Sequence, residues 1–548
     1  MMQRLAWHIA LVFPLCVHAQ GGSVGHVPLF RAAHFDAASV ALEDAQREMD
    51  GELPLYSRNL PLDASSTLGA WSVEGGDRVC RMAISSPGAK AMELLLEDVA
   101  VPQGATMQMR DAQGQALGGP LTMVLPEGVH ETSTALVPGD DWIVEYREPD
   151  VDGARGRFTI AQVGHAYRDV ETGEAREGTC HVNVVCHPES DGWEGPIRAT
   201  VRISVVTPMG NGWCTGTLVN NVRQDCAPYI LSAWHCGRTS TTAQFNQYKF
   251  YFNFQYATCM GGAYSTTQFM TGSQLKAYSD DYAPQYQGLG GSDFMLLRTN
   301  LPVPLAFDPY WAGWDATNMA NVTADGVCVH HPTGAPKRIS SYTQTLTTGH
   351  PMASSGLMSH YKVVWAQTTN GWGITEEGSS GAGLFKQIDG TGPVLIGTCT
   401  GNSSGMTCSN HTGLAYFGKM SYHWTNNPNA ANIKLKPWLD PDNTGTLVLA
   451  GSDDPCAIPS GVEEDRGGNM FSIAPNPAHD QATLRLPAST LLPAHALLVD
   501  ALGRTAAAWT INAAGQDLDL LNIPAGAYSL TLLHPNQPAL TGRLLITH

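Results

Sequence analysis

Hydrophobic positions along this chain come in short runs of alternating or unbroken apolar residues, not in helical stripes. In the first third, Ala70-Trp71-Ser72-Val73, Ala91-Met92-Glu93-Leu94-Leu95-Leu96 and Thr106-Met107-Gln108-Met109 stand between turns such as Val101-Pro102-Gln103-Gly104. Runs of this length bounded by Gly and Pro predict strands. Further on they crowd together: Ala199 to Thr207, Cys214 to Val219, Tyr229 to Ala233, Lys249 to Phe254, Phe294 to Leu297, Val327 to His330 and Val394 to Gly397. Short strands at frequent intervals suit paired β-barrels or sandwiches. A last group follows a Gly-, Pro- and acid-rich hinge that begins at Gly451. It alternates around turns such as Asn522-Ile523-Pro524-Ala525-Gly526, as a small β-sandwich would.

Composition sets the outer limits. A chain of 548 residues exceeds one hydrophobic core, so several domains are expected. Hydrophobic residues at 43% and charged ones at 15% describe a globular protein. The net charge of -18 argues against a nucleic-acid partner or an anionic membrane surface. At the start, Arg4, the apolar stretch Leu5 to Leu15 and Val17-His18-Ala19 read as a signal peptide over residues 1–19. Export licenses disulfides, and nine cysteines (180, 186, 214, 226, 236, 259, 328, 399 and 408) fall in the central segment. The spacing of Cys180 and Cys186 lacks the paired short intervals of a zinc knot, and His330-His331 has no third ligand at useful spacing. No metal and no cofactor is expected.

Candidate chemistry centres on Gly378-Ser379-Ser380-Gly381. Alone, such a stretch is more often a flexible loop. Upstream, however, Ser232-Ala233-Trp234-His235-Cys236 ends a predicted strand and Ser292-Asp293-Phe294 opens another, giving the order His, Asp, Ser. A serine hydroxyl is a poor nucleophile at neutral pH without a base in hydrogen-bond reach. His235 is the candidate base and Asp293 the group that fixes its tautomer. Gly378 permits the turn that aims the N–H groups of Gly378 and Ser380 at an oxyanion, and Gly381 permits close substrate approach. Taken singly, His235 reads equally as a core histidine and Asp293 as a turn cap.

From about Gly178 to Gly451 the chain resembles the bacterial lysyl endopeptidases, secreted serine proteases of the trypsin fold. The resemblance is carried by Cys214-Thr215-Gly216-Thr217-Leu218-Val219-Asn220-Asn221, Ala233-Trp234-His235-Cys236, Ser292-Asp293-Phe294 and Trp311-Ala312-Gly313-Trp314-Asp315. It continues through His330-His331-Pro332, Lys337-Arg338-Ile339-Ser340, Thr375-Glu376-Glu377-Gly378-Ser379-Ser380-Gly381 and Trp438-Leu439-Asp440-Pro441. It implies a mostly β protein with a trypsin-like double β-barrel, His235 as general base, Asp293 as its orienter and Ser380 as nucleophile. It also implies disulfides Cys180–Cys408, Cys186–Cys259 and Cys214–Cys236. Cys226 with Cys328 is expected as a further bridge, and Cys456 as the odd thiol.

Departures from the family bear on the substrate. The implied specificity pocket is lined by Ile374, Thr375, Glu376, Thr400 and Ala415. The family's pocket aspartate is replaced here by Ala415, and a cleft histidine by Thr400; the tryptophan that stacks on that histidine has no match near Pro351 to Ala353. An ammonium group in a buried pocket needs a carboxylate. Unless Glu376 reaches in, strict lysine preference should be lost. Ser379 stands where trypsin-like enzymes hold the aspartate that pairs with a new N-terminus, so activation should depend on removing a leading segment.

The expected organisation is a pro-region over 20–176, with a processing point near Arg176, a protease domain over 177–450 and a linker over 451–468. Residues 469–548 resemble the sorting domain of type IX secretion. Expected partners are protein or peptide substrates, the chain's own pro-region and the outer-membrane secretion machinery, with a secreted or cell-surface location and a monomeric state. The competing expectation is a catalytically silent homologue used for binding or adhesion.

Overall fold

The computed structural model describes residues 27–456 and 471–547, apart from 50–51, 124, 151–154, 169–177, 280–290, 320–321, 323–324, 352–357, 428, 487–491, 501–504 and 535–536. The expected signal peptide, the processing point at Arg176 and most of the expected linker lie outside the described residues. The chain divides into two compact units, residues 1–455 and 456–548. Among the described residues no helix is long and apolar enough to cross a membrane.

The first part of the larger unit is built from β1 (Leu55–Ser65), β2 (Asp77–Ser85), β3 (Ala91–Ala100), β4 (Thr106–Arg110), β5 (Asp141–Pro149) and β6 (Arg157–Ala166). Strands β2, β5 and β4 form one antiparallel layer, and β1, β6 and β3 another. Met82, Ile84, Leu94, Leu96, Met107, Val144, Phe158 and Ile160 fill the core between them. Strand β3 is buried without interruption from Ala91 to Leu96. Its period-2 pattern explains this: Met92, Leu94 and Leu96 enter that core, whereas Ala91 and Leu95 join clusters of the central segment. Both faces are covered, so even the one charged residue of the stretch, Glu93, is fully buried.

The central segment follows with β7 (Thr200–Val206), β8 (Gly210–Val219), β9 (Tyr229–Ser232), β10 (Lys249–Tyr251), β11 (Phe269–Thr271), β12 (Ser273–Tyr278) and β13 (Met295–Thr299). Their order is β11-β10-β7-β8-β9-β13-β12. The two end strands, β11 and β12, are consecutive in the chain and separated only by Gly272, so the order wraps back on itself as a barrel does. A second set is β14 (Gly326–His330), β15 (Arg338–Tyr342), β16 (Thr347–Gly349), β17 (His360–Val363), β18 (Gly383–Ile388), β19 (Gly392–Asn402) and β20 (Ala415–Lys419), in the order β15-β14-β18-β19-β20-β17-β16. Here too the ends, β15 and β16, are chain neighbours. The double-barrel, mostly β architecture is the one the short strands predict.

The first barrel also carries the N-terminal layers. Arg58, Ser57 and Leu55 of β1 pair antiparallel with Gly210, Asn211 and Gly212 of β8. One sheet therefore runs from β3 through β6 and β1 into the barrel.

The smaller unit has β21 (Ser472–Ala474), β22 (Gln481–Arg485), β23 (Ala494–Asp500), β24 (Thr505–Ile511), β25 (Gly515–Asp519), β26 (Gly526–His534) and β27 (Gln537–Ile546), forming sheets of three and four strands. Leu484, Ala496, Leu498, Leu518 and Leu530 are fully buried in its core.

Cysteine pairing departs from expectation at two positions. Disulfides Cys180–Cys408, Cys186–Cys259 and Cys214–Cys236 are present. The expected Cys226–Cys328 bridge is not: Cys328 is a free thiol in the core of the second barrel, on β14, whereas Cys226 lies in the loop between β8 and β9 of the first. The two belong to different hydrophobic cores. Cys226 is disulfide-bonded, and so is Cys456, the expected odd thiol.

Candidate active site

His235 follows β9 at the start of a single helical turn, Trp234–Gly237. The Cys214–Cys236 bond ties that turn to β8 across a separation of 22 residues. Closing such a loop removes about 3 kcal/mol of unfolded-chain entropy. It also fixes the imidazole relative to the barrel. Asp293, just before β13, is fully buried and has the left-handed φ of 54°. Its backbone carbonyl accepts from Trp234 N at 3.2 Å and its Oδ1 from His235 N at 2.9 Å. Oδ2 then lies 2.7 Å from His235 Nδ1. The other ring nitrogen, Nε2, lies 2.8 Å from Ser380 Oγ. The carboxylate as acceptor sets the tautomer: Nδ1 carries the hydrogen and Nε2 is free to take the hydroxyl proton.

Ser380 sits on a turn that only glycines permit at two points. Gly378 and Gly381 both have φ of +83°. A Cβ on Gly378 would stand 2.8 Å from His331 O, and one on Gly381 2.4 Å from Thr215 O. The Glu377 carbonyl accepts from Thr333 N at 2.5 Å, which turns the Gly378 N–H of the same trans peptide to the opposite side. Ser380's own carbonyl accepts from Thr215 N at 2.8 Å, and Gly378's from Thr215 Oγ1 at 2.8 Å. Thus β8 holds the turn from the first barrel.

Ser379 is where the sequence left a question. Its Oγ accepts from Glu376 N at 3.1 Å and lies 2.8 Å from His330 Nδ1, while His330 Nε2 lies 2.9 Å from Ser340 Oγ. Burial, with help from His181 and Arg338, pushes His330 well below the usual histidine pKa, so the ring is neutral. No charge is needed there. In the sequence His330 has a place in a family-like block and no role at this turn.

The expected pocket residues lie together with one exception. Ile374 and Ala415 are fully buried. Thr375 Oγ1 meets Asn402 Oδ1 at 2.6 Å, and Thr400 Oγ1 lies 3.1 Å from His360 Nε2. The carboxylate of Glu376 does not face this group: Oε2 accepts from Gly178 N at 3.0 Å and meets His181 Nε2 at 2.9 Å. Burial opposes its charge, but His181 and that N–H outweigh the cost and hold its pKa below the usual range. Glu376 Oε2 is thus committed to Gly178 and His181. Two neighbours escaped sequence reading. Cys399, a buried free thiol pushed up to about 12 by burial and the Asp293 charge, precedes Thr400. Trp372 stacks on His411, ring centroids 4.4 Å apart.

Residues 174–418 match the family model described as lysyl endopeptidase, C-terminal domain. The lysyl endopeptidase of Pseudomonas aeruginosa is 28% identical over 267 residues, covering 46% of this chain and 52% of its own length. The chain thus spans about half the length of that relative. Among solved structures, a thermostable serine protease from an extremophilic microorganism has 17% identity, TM-score 0.29, and coverage of 41% of this chain and 93% of its own. The protease Anisep from Arthrobacter nicotinovorans has 15% identity, TM-score 0.27, and coverage of 41% and 92%. At such scores they add nothing to what the strand order itself establishes.

Proposed function

We propose that the chain is a secreted serine endopeptidase whose acyl transfer runs through Ser380, His235 and Asp293. The observation that carries this reading is the imidazole held between Ser380 Oγ at 2.8 Å and Asp293 Oδ2 at 2.7 Å. Ser380 Oγ attacks the scissile carbonyl carbon as His235 Nε2 takes its proton. Asp293, fully desolvated, stabilises the imidazolium that forms. The N–H groups of Gly378 and Ser380 receive the oxyanion. As the tetrahedral adduct collapses, His235 returns the proton to the leaving amine, and water attacks the acyl-enzyme by the same route in reverse. The similarity to a lysyl endopeptidase supports the reaction class.

In this reading the residue before the cleaved bond is not lysine. Ile374 and Ala415 offer no charge, and Glu376 is turned to Gly178 and His181. A lysine ammonium entering such a pocket would be desolvated without a partner, a cost of several kcal/mol. An apolar side chain would gain instead. The N-terminal layers serve as the pro-region, and the smaller unit as the sorting domain of an export pathway. A fluorophosphonate probe should label the processed chain at Ser380, and Ser380→Ala should abolish both labelling and hydrolysis while leaving the circular dichroism spectrum unchanged. A folded, processed chain that takes no label would refute the assignment. Cleavage of a peptide library chiefly after lysine would refute the pocket argument alone.

A further inference from the structure

The register of the first barrel puts a distinct set of residues on its outer surface. Thr200 to Val206 pairs with Thr217 to Asn211, and Arg202 and Ser204 pair with Tyr251 and Lys249. Since cross-strand partners share a face, Arg202, Ser204, Asn211, Trp213, Thr215, Lys249 and Tyr251 lie on one side of the sheet. Val201, Ile203, Val205, Cys214 and Phe250 lie on the other, in the barrel core. The outer face is therefore basic and aromatic, and it begins at the nucleophile, where Thr215 holds Gly378 and Ser380.

Its two cations are unusual. Arg202 is 3% exposed, with its guanidinium 4.1 Å from the Trp213 ring centroid, 4.5 Å from that of Tyr251 and 3.7 Å from that of Phe254. Nη1 donates to Gly334 O at 2.8 Å; Nε has no partner, and no carboxylate pairs with the group among the described residues. Gly334 N in turn packs against Gly378. A cavity of about 100 Å³ is lined by Arg202 and Tyr251 together with Ala91, Leu136 and Pro138 of the N-terminal layers. Lys249 is fully buried, and its ammonium forms an ion pair with Glu93 of β3. Glu93 also accepts from Tyr56 Oη at 2.9 Å and Asn211 Nδ2 at 2.5 Å, and Tyr56 stacks on Trp213 with centroids 4.3 Å apart.

The N-terminal part thus presents three things to this face: an extended strand on the β8 edge, an aromatic ring on Trp213 and a carboxylate on Lys249. All three are features a peptide can supply. The face adjoins the nucleophile turn through Thr215 and shares the first barrel with His235, which must protonate the departing amine, whereas the pocket residues all come from the second barrel.

Resting on the peptidase reading above, we propose that the β7–β8–β10 outer face is a substrate subsite for the chain downstream of the cleaved bond, selecting acidic side chains through Lys249 and Arg202. In the unprocessed protein Tyr56 and Glu93 occupy it. Processing removes Glu93 from Lys249 and opens the cavity beside the unpaired Arg202, and a carboxylate is the group that restores the lost ion pair.

Processed enzyme should be assayed on quenched peptides identical up to the cleaved bond and carrying Asp, Asn or Lys at the second to fourth positions after it. The Asp series should exceed the Lys series in kcat/KM by about tenfold at low salt, with Asn between, and the ratio should fall as ionic strength rises. Lys249→Met should bring the ratio near one and Lys249→Glu should invert it. A parallel measurement uses the full Ser380→Ala chain with a site-specific cleavage sequence inserted in 169–177, cut, separated from its N-terminal part, and titrated with the same peptides by fluorescence anisotropy. An affinity ratio and a kcat/KM ratio both near one would overturn the subsite and leave the face as a seat for the N-terminal part only. Hydrolysis of no peptide would refute the peptidase reading, while the affinity ratio would still decide the subsite.

Discussion

Four imidazoles are sealed inside the larger unit, and together they should make its stability fall steeply with acid. His330 lies between Ser379 and Ser340; His331 Nδ1 donates to Ala335 O; His360 lies between Ser359 and Thr400; His423 lies between Ser292 and Thr398. All of these partners are hydroxyl or carbonyl groups. Burial pushes all four down, His423 to about 3 and the others well below the ordinary value. The sign follows from linkage. A histidine whose folded pKa is depressed stays neutral in the folded state while the unfolded chain takes up a proton below about 6.5, so acid favours unfolding. For His423, held at about 3, the loss at pH 5 is about 2 kcal/mol, and His330, His331 and His360 act in the same direction. The assay is guanidinium unfolding followed by tryptophan fluorescence at pH 7.5, 6.5, 5.5 and 5. The midpoint should drop progressively below pH 6.5 with little change in slope. His423→Gln, which keeps a hydrogen-bonding side chain but cannot titrate, should recover about 2 kcal/mol of the loss at pH 5. A midpoint that stays flat from pH 7.5 to 5 would refute the burial of neutral rings as described.

Two further outcomes test other parts of the molecule. Asp293→Asn should leave the fold intact and lower kcat by about 10⁴-fold, since an amide donor toward Nδ1 favours the wrong tautomer; steady-state kinetics on one good peptide reads this, and a loss under tenfold would remove Asp293 from the reaction. Cys80, Cys328 and Cys399 are free and buried, with Cys80 and Cys399 pushed up to about 12, so a thiol reagent at pH 8 should label none of them until denaturant is added.

The pieces legible in the sequence were those governed by local pattern. Alternation and turns marked most strands, and the order His235, Asp293, Ser380 marked the constellation, because strand ends and glycine turns leave local traces. What escaped depended on partners far away in the chain. In the stretch from Ala91 to Leu96 only Glu93 marked the odd positions as a different face, and nothing local named Lys249, far along the chain, as its partner. The Gly210–Gly212 edge that receives β1 has no large apolar side chain to advertise a contact made through backbone hydrogen bonds. Nothing in the spacing of Cys226 and Cys328 carries a distance, and the loop that bears one and the strand that bears the other belong to different barrels.

Ser379 shows how the two kinds of information combine. Its identity alone excludes an ion pair with a new N-terminus, but it cannot say what holds the turn instead. The structure supplies a closed, neutral chain, Ser340 to His330 to Ser379 to the Glu376 N–H, in which burial keeps the imidazole uncharged and no ammonium is called for. The consequence is mechanical. With the N-terminal layers still seated on β8, Ser380 Oγ already lies 2.8 Å from His235 Nε2. Cleaving the chain near Gly178 therefore needs no ion pair at Ser379 and no reshaping of the turn that holds Ser380. Under the peptidase reading, latency must come from what covers the cleft. Tyr56 on Trp213, Glu93 on Lys249 and β1 on the β8 edge are the contacts whose removal would open it.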